Sequence, residues 1–189
     1  MPAASFRNRP AESRPARRTS LPTLEVTRVR NAGGADGPAA ERYLRQHLRR
    51  LLPLLPRNRL RHVSVALVGD AAMSALHARS HGLPTPTDVL TYPLETTPGG
   101  DVTEGEIVIC VPEARRNAGA GNIACRRELL LYALHGLLHL CGMDDHDPND
   151  ARRMHAEEDR LLTRVGVGPV YAGRGHRPPA RRRRPRSAS

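Results

Sequence analysis

Residues 126–141 read RRELLLYALHGLLHLC, and this stretch decides the fold. Wound as a helix it is apolar on almost every face after its first turn, so the periodicity predicts a buried helix rather than a surface one. The segments around it supply the cover. Residues 23–30 (TLEVTRVR) alternate apolar and polar side chains, as a half-buried strand does. Residues 62–69 (HVSVALVG) read as a second strand, 87–93 as a third, and 106–111 (EIVICV) as a nearly continuous apolar run, hence a central strand. A Gly- and Thr-rich connection over 96–105 separates the last two.

Helical spacing is clear in three further places. Residues 39–55 place Tyr43, Leu44, Leu48, Leu51 and Leu52 on one face and Arg42, Arg45, Arg49 and Arg50 on the other. That arginine face reads as solvated surface before it reads as an RNA-binding stripe. Asp70 caps a short helix running to about Arg79, and Pro112 opens another at its first turn, where a missing N–H costs nothing. A last helix spans about 148–165. Strands mixed with helices, without a repeat, imply an α/β (α+β) layered domain. Its mixed sheet of about four strands is packed by helices, with the buried helix lying across it.

The chain has 189 residues and a formal charge of +11, which suggests a nucleic-acid partner until its distribution is followed. Residues 1–20 carry five Arg and one Glu, and 172–189 carry seven Arg and no acid, so the two ends hold all of the excess. Residues 21–171 are electroneutral, and every basic residue in the chain is Arg. The organisation expected is a disordered basic arm (1–20), one domain (21–171) and a disordered Arg-rich tail (172–189). Three cysteines at 110, 125 and 141 form no disulfide framework, which points to a reducing cytoplasm. No apolar run reaches the roughly 18–20 residues of a membrane span.

Chemistry concentrates at the end of the buried helix. His135 and His139 stand at i and i+4, so both imidazoles project from one face and can reach one ion. Left without partners in an apolar helix, two such rings would cost a few kcal/mol, a cost that a shared ion removes. Gly142 tolerates the positive φ that ends a helix, and the turn after it returns Asp144, Asp145 and His146 toward the pair. Three protein ligands with an open position describe a catalytic zinc rather than a structural one. The zinc-protease pattern H-E-x-x-H puts its general base where this chain has Gly136, which can abstract no proton.

These residues resemble the YbeY family, the rRNA maturation factors described as single-strand-specific, metal-dependent endoribonucleases. The family pattern H-G-x-L-H-L-x-G-Y-D-H is matched at His135, Gly136, Leu138, His139, Leu140, Gly142 and Asp144. A second pattern, P-T-D-V-L-S-F-P, is matched closely by residues 86–93 (PTDVLTYP), and a glycine-acid-Ile-Val-Ile strand by 105–109 (GEIVI). The likeness runs over roughly residues 60–165 and covers neither basic end.

The resemblance implies one zinc ion and hydrolysis of phosphodiester bonds in single-stranded RNA. It places that activity in maturation of the small-subunit rRNA 3′ end and in ribosome quality control. Ribosomal RNA and the small ribosomal subunit would be the partners, without a membrane. The family's third metal-binding histidine falls on Asp145, with His146 one step later. Spacing favours the carboxylate and ligand chemistry the imidazole, and the reading leans to His146. The family's phosphate-binding Arg falls on His81, with Arg79 nearby, which grips phosphate less firmly than a guanidinium. Asp88 reads as a strand-end residue bonding loop backbone, Cys141 as core, and His47, His77 and His155 as surface. The rival reading is a non-enzymatic ribosome-assembly factor with a structural zinc site.

Overall fold

The computed structural model describes residues 22–28 and 37–171. The two basic ends and the Gly-rich turn after the first strand lie outside the described residues. Strand β1 (Thr23–Arg28) leads to helix α1 (Gly37–Leu51) and a 3-10 turn (Leu52–Leu54). Then come β2 (His62–Val68), α2 (Asp70–His81), β3 (Val89–Thr96), β4 (Val102–Cys110), α3 (Val111–Ala120), α4 (Cys125–Leu140) and α5 (Pro148–Arg164). The four strands stand in the order β1-β2-β4-β3, with β1, β2 and β4 parallel and β3 antiparallel to β4. The apolar run of β4 is central, as expected of a strand covered on both faces.

Period-two alternation divides the sheet's side chains between two unequal layers. Val63, Val65 and Leu67 of β2, with Ile107 and Ile109 of β4, enter the main core. Leu44, Leu48 and Leu51 of α1, the length of α4, and Met154, Leu161 and Leu162 of α5 meet them there. On the opposite face α2 covers a small cluster of Val68, Met73, Leu90, Val108 and Cys110. A bidentate fork ties this outer layer to α3: Arg116 Nη2 donates to Asp70 Oδ1 at 2.8 Å and Nη1 to Oδ2 at 3.1 Å.

Two glycines let α4 sit close on the sheet. A Cβ on Gly105 of β4 would lie 2.5 Å from Leu140 Cδ1. One on Gly136 of α4 would lie 2.9 Å from both Ile107 Cγ2 and Thr91 Oγ1. Contacts that short do not occur, so a side chain at either place would push helix and sheet apart.

The structure revises some local expectations. Half of the 96–105 connection is strand. Pairing with β4 extends β3 to Thr96, β4 begins at Val102, and a turn closed by Thr97 N–H to Asp101 O (2.8 Å) joins them. The arginine face of α1 is not wholly solvated, because Arg45 Nη2 donates to Val26 O at 3.0 Å and fastens α1 to β1. His77 is buried rather than on the surface, its Nδ1–H donating to Thr85 O at 2.7 Å across the loop that follows α2. Cys141 is core, as expected, and Asp88 stands at the strand end, its Oδ1 accepting from the N–H of Val89, the first residue of β3, at 2.9 Å rather than from loop backbone.

Candidate metal centre

The end of α4 builds the centre. Helical winding stops where Gly142 takes φ of 82°. Met143 N–H then bonds back to Leu138 O (3.0 Å) and Gly142 N–H to His139 O (2.9 Å), the paired bonds of a Schellman turn. The turn aims the Met143 carbonyl at the last histidine, whose Nδ1–H donates to it at 3.0 Å. A carbonyl can only accept, so the His139 proton sits on Nδ1 and its Nε2 presents a lone pair.

His135 is oriented from the other side. Its Nδ1–H donates to Glu158 Oε1 at 2.8 Å, across from α5. Glu158 is fully buried, and its Oε2 has no hydrogen-bond partner among the described residues. With both Nδ1 atoms committed, the two Nε2 atoms face each other at 3.0 Å, the rings edge to face. Asp145 completes the group: its Oδ1 lies 3.7 Å from His139 Nε2 and its Oδ2 3.7 Å from His135 Nε2. All three donor atoms fall within 4.8 Å of one another.

This donor set suits a divalent cation. Two nitrogens bound tetrahedrally to zinc at ~2.05 Å stand about 3.3 Å apart, close to the separation here. A cation on His135 would also balance the buried Glu158 carboxylate, which otherwise sits in the core with one oxygen unpaired. The electrostatics of the pair are divided. Burial opposes charge on both rings; for His135 the Glu158 bond and the charges of Glu158, Asp145 and Asp88 outweigh it and raise the pKa. For His139, burial and repulsion by His135 lower it. The side chains keep 18%, 26% and 37% of their surface at His135, His139 and Asp145, so the group opens to solvent as a catalytic site must.

The structure brings together His135, His139 and Asp145 from the sequence-based set. His146 is turned outward, 87% exposed, with its Nδ1 on Asp144 Oδ1. An Asx turn fixes that arrangement: Asp144 Oδ1 also accepts from Asp145 N–H at 2.7 Å and His146 N–H at 3.2 Å. Asp147 then caps α5 through Asn149 and Asp150 N–H. His81 stands exposed at the end of α2, its Nδ1 2.8 Å from Ser80 Oγ and its ring 5.2 Å from that of His77. No hydrogen bond or ring contact joins it to the histidine pair among the described residues. Glu158 escaped the sequence reading. Its signal was an acid in the apolar stripe Met154, Glu158, Leu161, Leu162 of the last helix.

No helix among the described residues is long and apolar enough to cross a membrane. With the geometry in place, the comparisons are specific. The profile of the family described as Endoribonuclease YbeY matches residues 33–166. The protein named Endoribonuclease YbeY from Moorella thermoacetica is 40% identical over 114 residues, covering 56% of this chain and 73% of that one. Its namesake from Mycobacterium bovis (strain BCG) is 38% identical over 143 residues, 71% of this chain and 80% of that one. The solution structure of TM1509 from Thermotoga maritima superposes with a TM-score of 0.55 at 28% identity, over 76% of this chain and 89% of that one. The chain belongs to the YbeY family.

Proposed function

We propose that this chain is a metal-dependent endoribonuclease that cuts single-stranded RNA in the cytoplasm. Its role would be maturation of the 3′ end of small-subunit ribosomal RNA and ribosome quality control. One observation carries the reading: two histidines with both Nδ1 protons spoken for turn bare Nε2 atoms to one point, 3.0 Å apart, where Asp145 joins them. Relatives named Endoribonuclease YbeY supply the reaction class.

His135, His139 and Asp145 hold one ion, zinc by the preference of a two-imidazole, one-carboxylate set. Such an ion polarises a phosphoryl oxygen or lowers the pKa of a bound water. Everything else is done by the chain. Glu158 and the Met143 carbonyl keep both Nδ1 atoms protonated and both rings fixed. His146 stands outside the ligand set, because its ring is engaged by Asp144 and faces solvent. Gly136 leaves no base beside the ion, and the contacts to Ile107 and Thr91 leave no room for one, so peptide hydrolysis of the H-E-x-x-H kind is disfavoured. His81, with Arg79, contacts a phosphate of the strand, and the two Arg-rich ends add salt-sensitive attraction to ribosomal RNA.

The test is cleavage of single-stranded against duplex RNA by the purified protein. Cutting of the single strand that stops on chelation, returns with zinc and is absent in a folded His135→Ala variant bears the reading out. A metal-loaded wild type that cuts neither RNA contradicts it and leaves a structural metal in an assembly factor.

A further inference from the structure

The space that the H-E-x-x-H pattern gives to its general base is filled in this fold by a different group. A Cβ on Gly136 would stand 2.9 Å from Thr91 Oγ1, so the first atom of any side chain there meets a hydroxyl delivered by β3. Period-two alternation sends the hydroxyl that way. Leu90 and Tyr92 turn to the α2 layer, and Thr91 between them turns to α4, beside Ile107 of β4. Gly136 directly follows His135 and precedes His139 by three residues. On a helix surface such i, i+3 neighbours stand about 5–6 Å apart at Cβ, so Thr91 Oγ1 borders the histidine pair from the sheet side.

That hydroxyl is uncommitted, while others around it are taken: Thr87 donates to Asp88, Tyr92 to Ser80 and Thr103 to Glu95. Thr91 makes no hydrogen bond among the described residues, and although the residue is partly buried its oxygen reaches solvent. Apart from the rings' action on each other, the charges bearing on the pair are acidic. They come from Glu158, Asp145 and Asp88 at His135 and from Asp145 and Asp144 at His139, with no guanidinium among them. A phosphate at this centre therefore meets positive charge only in the ion, and its remaining oxygens need neutral donors. A threonine hydroxyl donates to an anionic oxygen and adds no charge of its own.

We propose that Thr91 is a substrate-binding residue of the metal centre, its hydroxyl donating a hydrogen bond to a non-bridging oxygen of the phosphate that is cut. It does so from the volume in which the protease pattern holds its glutamate. That the phosphate is cut, and belongs to RNA, rests on the endoribonuclease reading; the donor beside the pair rests on the placement of Gly136 and Thr91. The bond is present in the bound strand and strengthens as charge builds on that oxygen. Gly136 then serves twice, letting helix and sheet close up and admitting a donor where a base would otherwise stand.

The experiment compares Thr91→Val, which keeps the shape and removes the hydroxyl, with Thr91→Ser, which keeps the hydroxyl and removes a methyl, in the full chain loaded with zinc. Cleavage of single-stranded RNA is read as kcat and KM. Affinity is measured for single-stranded DNA of the same sequence, which keeps the phosphates and lacks the 2′-hydroxyls. Metal content and melting temperature are followed alongside. The expected result for Thr91→Val is a kcat/KM lower by roughly ten- to hundred-fold and a DNA affinity lower by roughly two- to five-fold. Thr91→Ser recovers most of both losses, and both variants keep the metal and the melting temperature of wild type. Wild-type cleavage and DNA binding in Thr91→Val overturn the proposal. Impairment of Thr91→Ser equal to that of Thr91→Val, or loss of metal from either, also overturns it and assigns Thr91 to packing against α4. Loss on RNA with DNA affinity unchanged overturns it too, giving the hydroxyl to the ribose. A wild type that binds DNA but cuts no RNA refutes the endoribonuclease reading alone, because the DNA series still decides the donor. A wild type that does neither refutes both.

Discussion

The two faces of the sheet are built to different standards. Under α4, Gly105 and Gly136 let the side chains of Leu140, Ile107 and Thr91 lie directly against backbone, and the helix is buried on nearly every side. Under α2 only a handful of side chains meet around Met73, and the outer layer is fastened by an exposed fork between Arg116 and Asp70. The proposed metal ligands hang from the first layer and the proposed phosphate contact, His81, from the end of the second. Close packing fixes groups that must converge within a few tenths of an ångström. A thin layer suffices for one that only has to reach a flexible strand.

Breaking the rigid side should have the larger consequences. His139→Ala removes one Nε2 and is expected to abolish RNA cleavage and metal retention together, checked by activity and metal content of the folded protein. Glu158→Gln keeps the shape but lets the His135 proton move, and should weaken metal affinity roughly 10- to 100-fold in a chelator competition. Gly136→Ala forces a Cβ against Ile107 and Thr91 and should cost about 1–3 kcal/mol in denaturant unfolding.

The thin side should be forgiving. His81→Ala is expected to raise KM for RNA by roughly a few-fold with kcat little changed, while His81→Arg should lower it, since a guanidinium grips phosphate with two parallel bonds. The smallest effect concerns acid stability. The Arg116 bonds hold the Asp70 carboxyl below the usual carboxylate range. A depressed folded pKa adds stability above the unfolded value, near 3.9, which is lost as pH falls through the folded one. Arg116→Gln should therefore lower the melting temperature slightly at pH 7, and the deficit should shrink as pH falls below the unfolded value.

How legible this was in the sequence follows the range of the forces involved. The strands, the buried helix, the paired histidines and the Gly142 turn rest on local periodicity and backbone preference, and the structure has all of them, with β3 and β4 longer toward each other than the spacing puts them. The β3–β4 hairpin was hidden because cross-strand pairing turned polar Thr and Glu residues into strand. Glu158 was hidden because its partner lies 23 residues away on another helix. His77 looked like surface until the loop carbonyl of Thr85 was folded onto it. Which of Asp145 and His146 faces the histidine pair turns on a single Asx turn: Asp144 takes the His146 ring and its N–H, and Asp145 is left facing the pair.

The most direct test of the account is metal bound per chain, measured on purified Asp145→Ala and His146→Ala side by side with wild type. The account predicts about one ion in wild type and in His146→Ala, and little in Asp145→Ala. Retention by Asp145→Ala with loss from His146→Ala would contradict it.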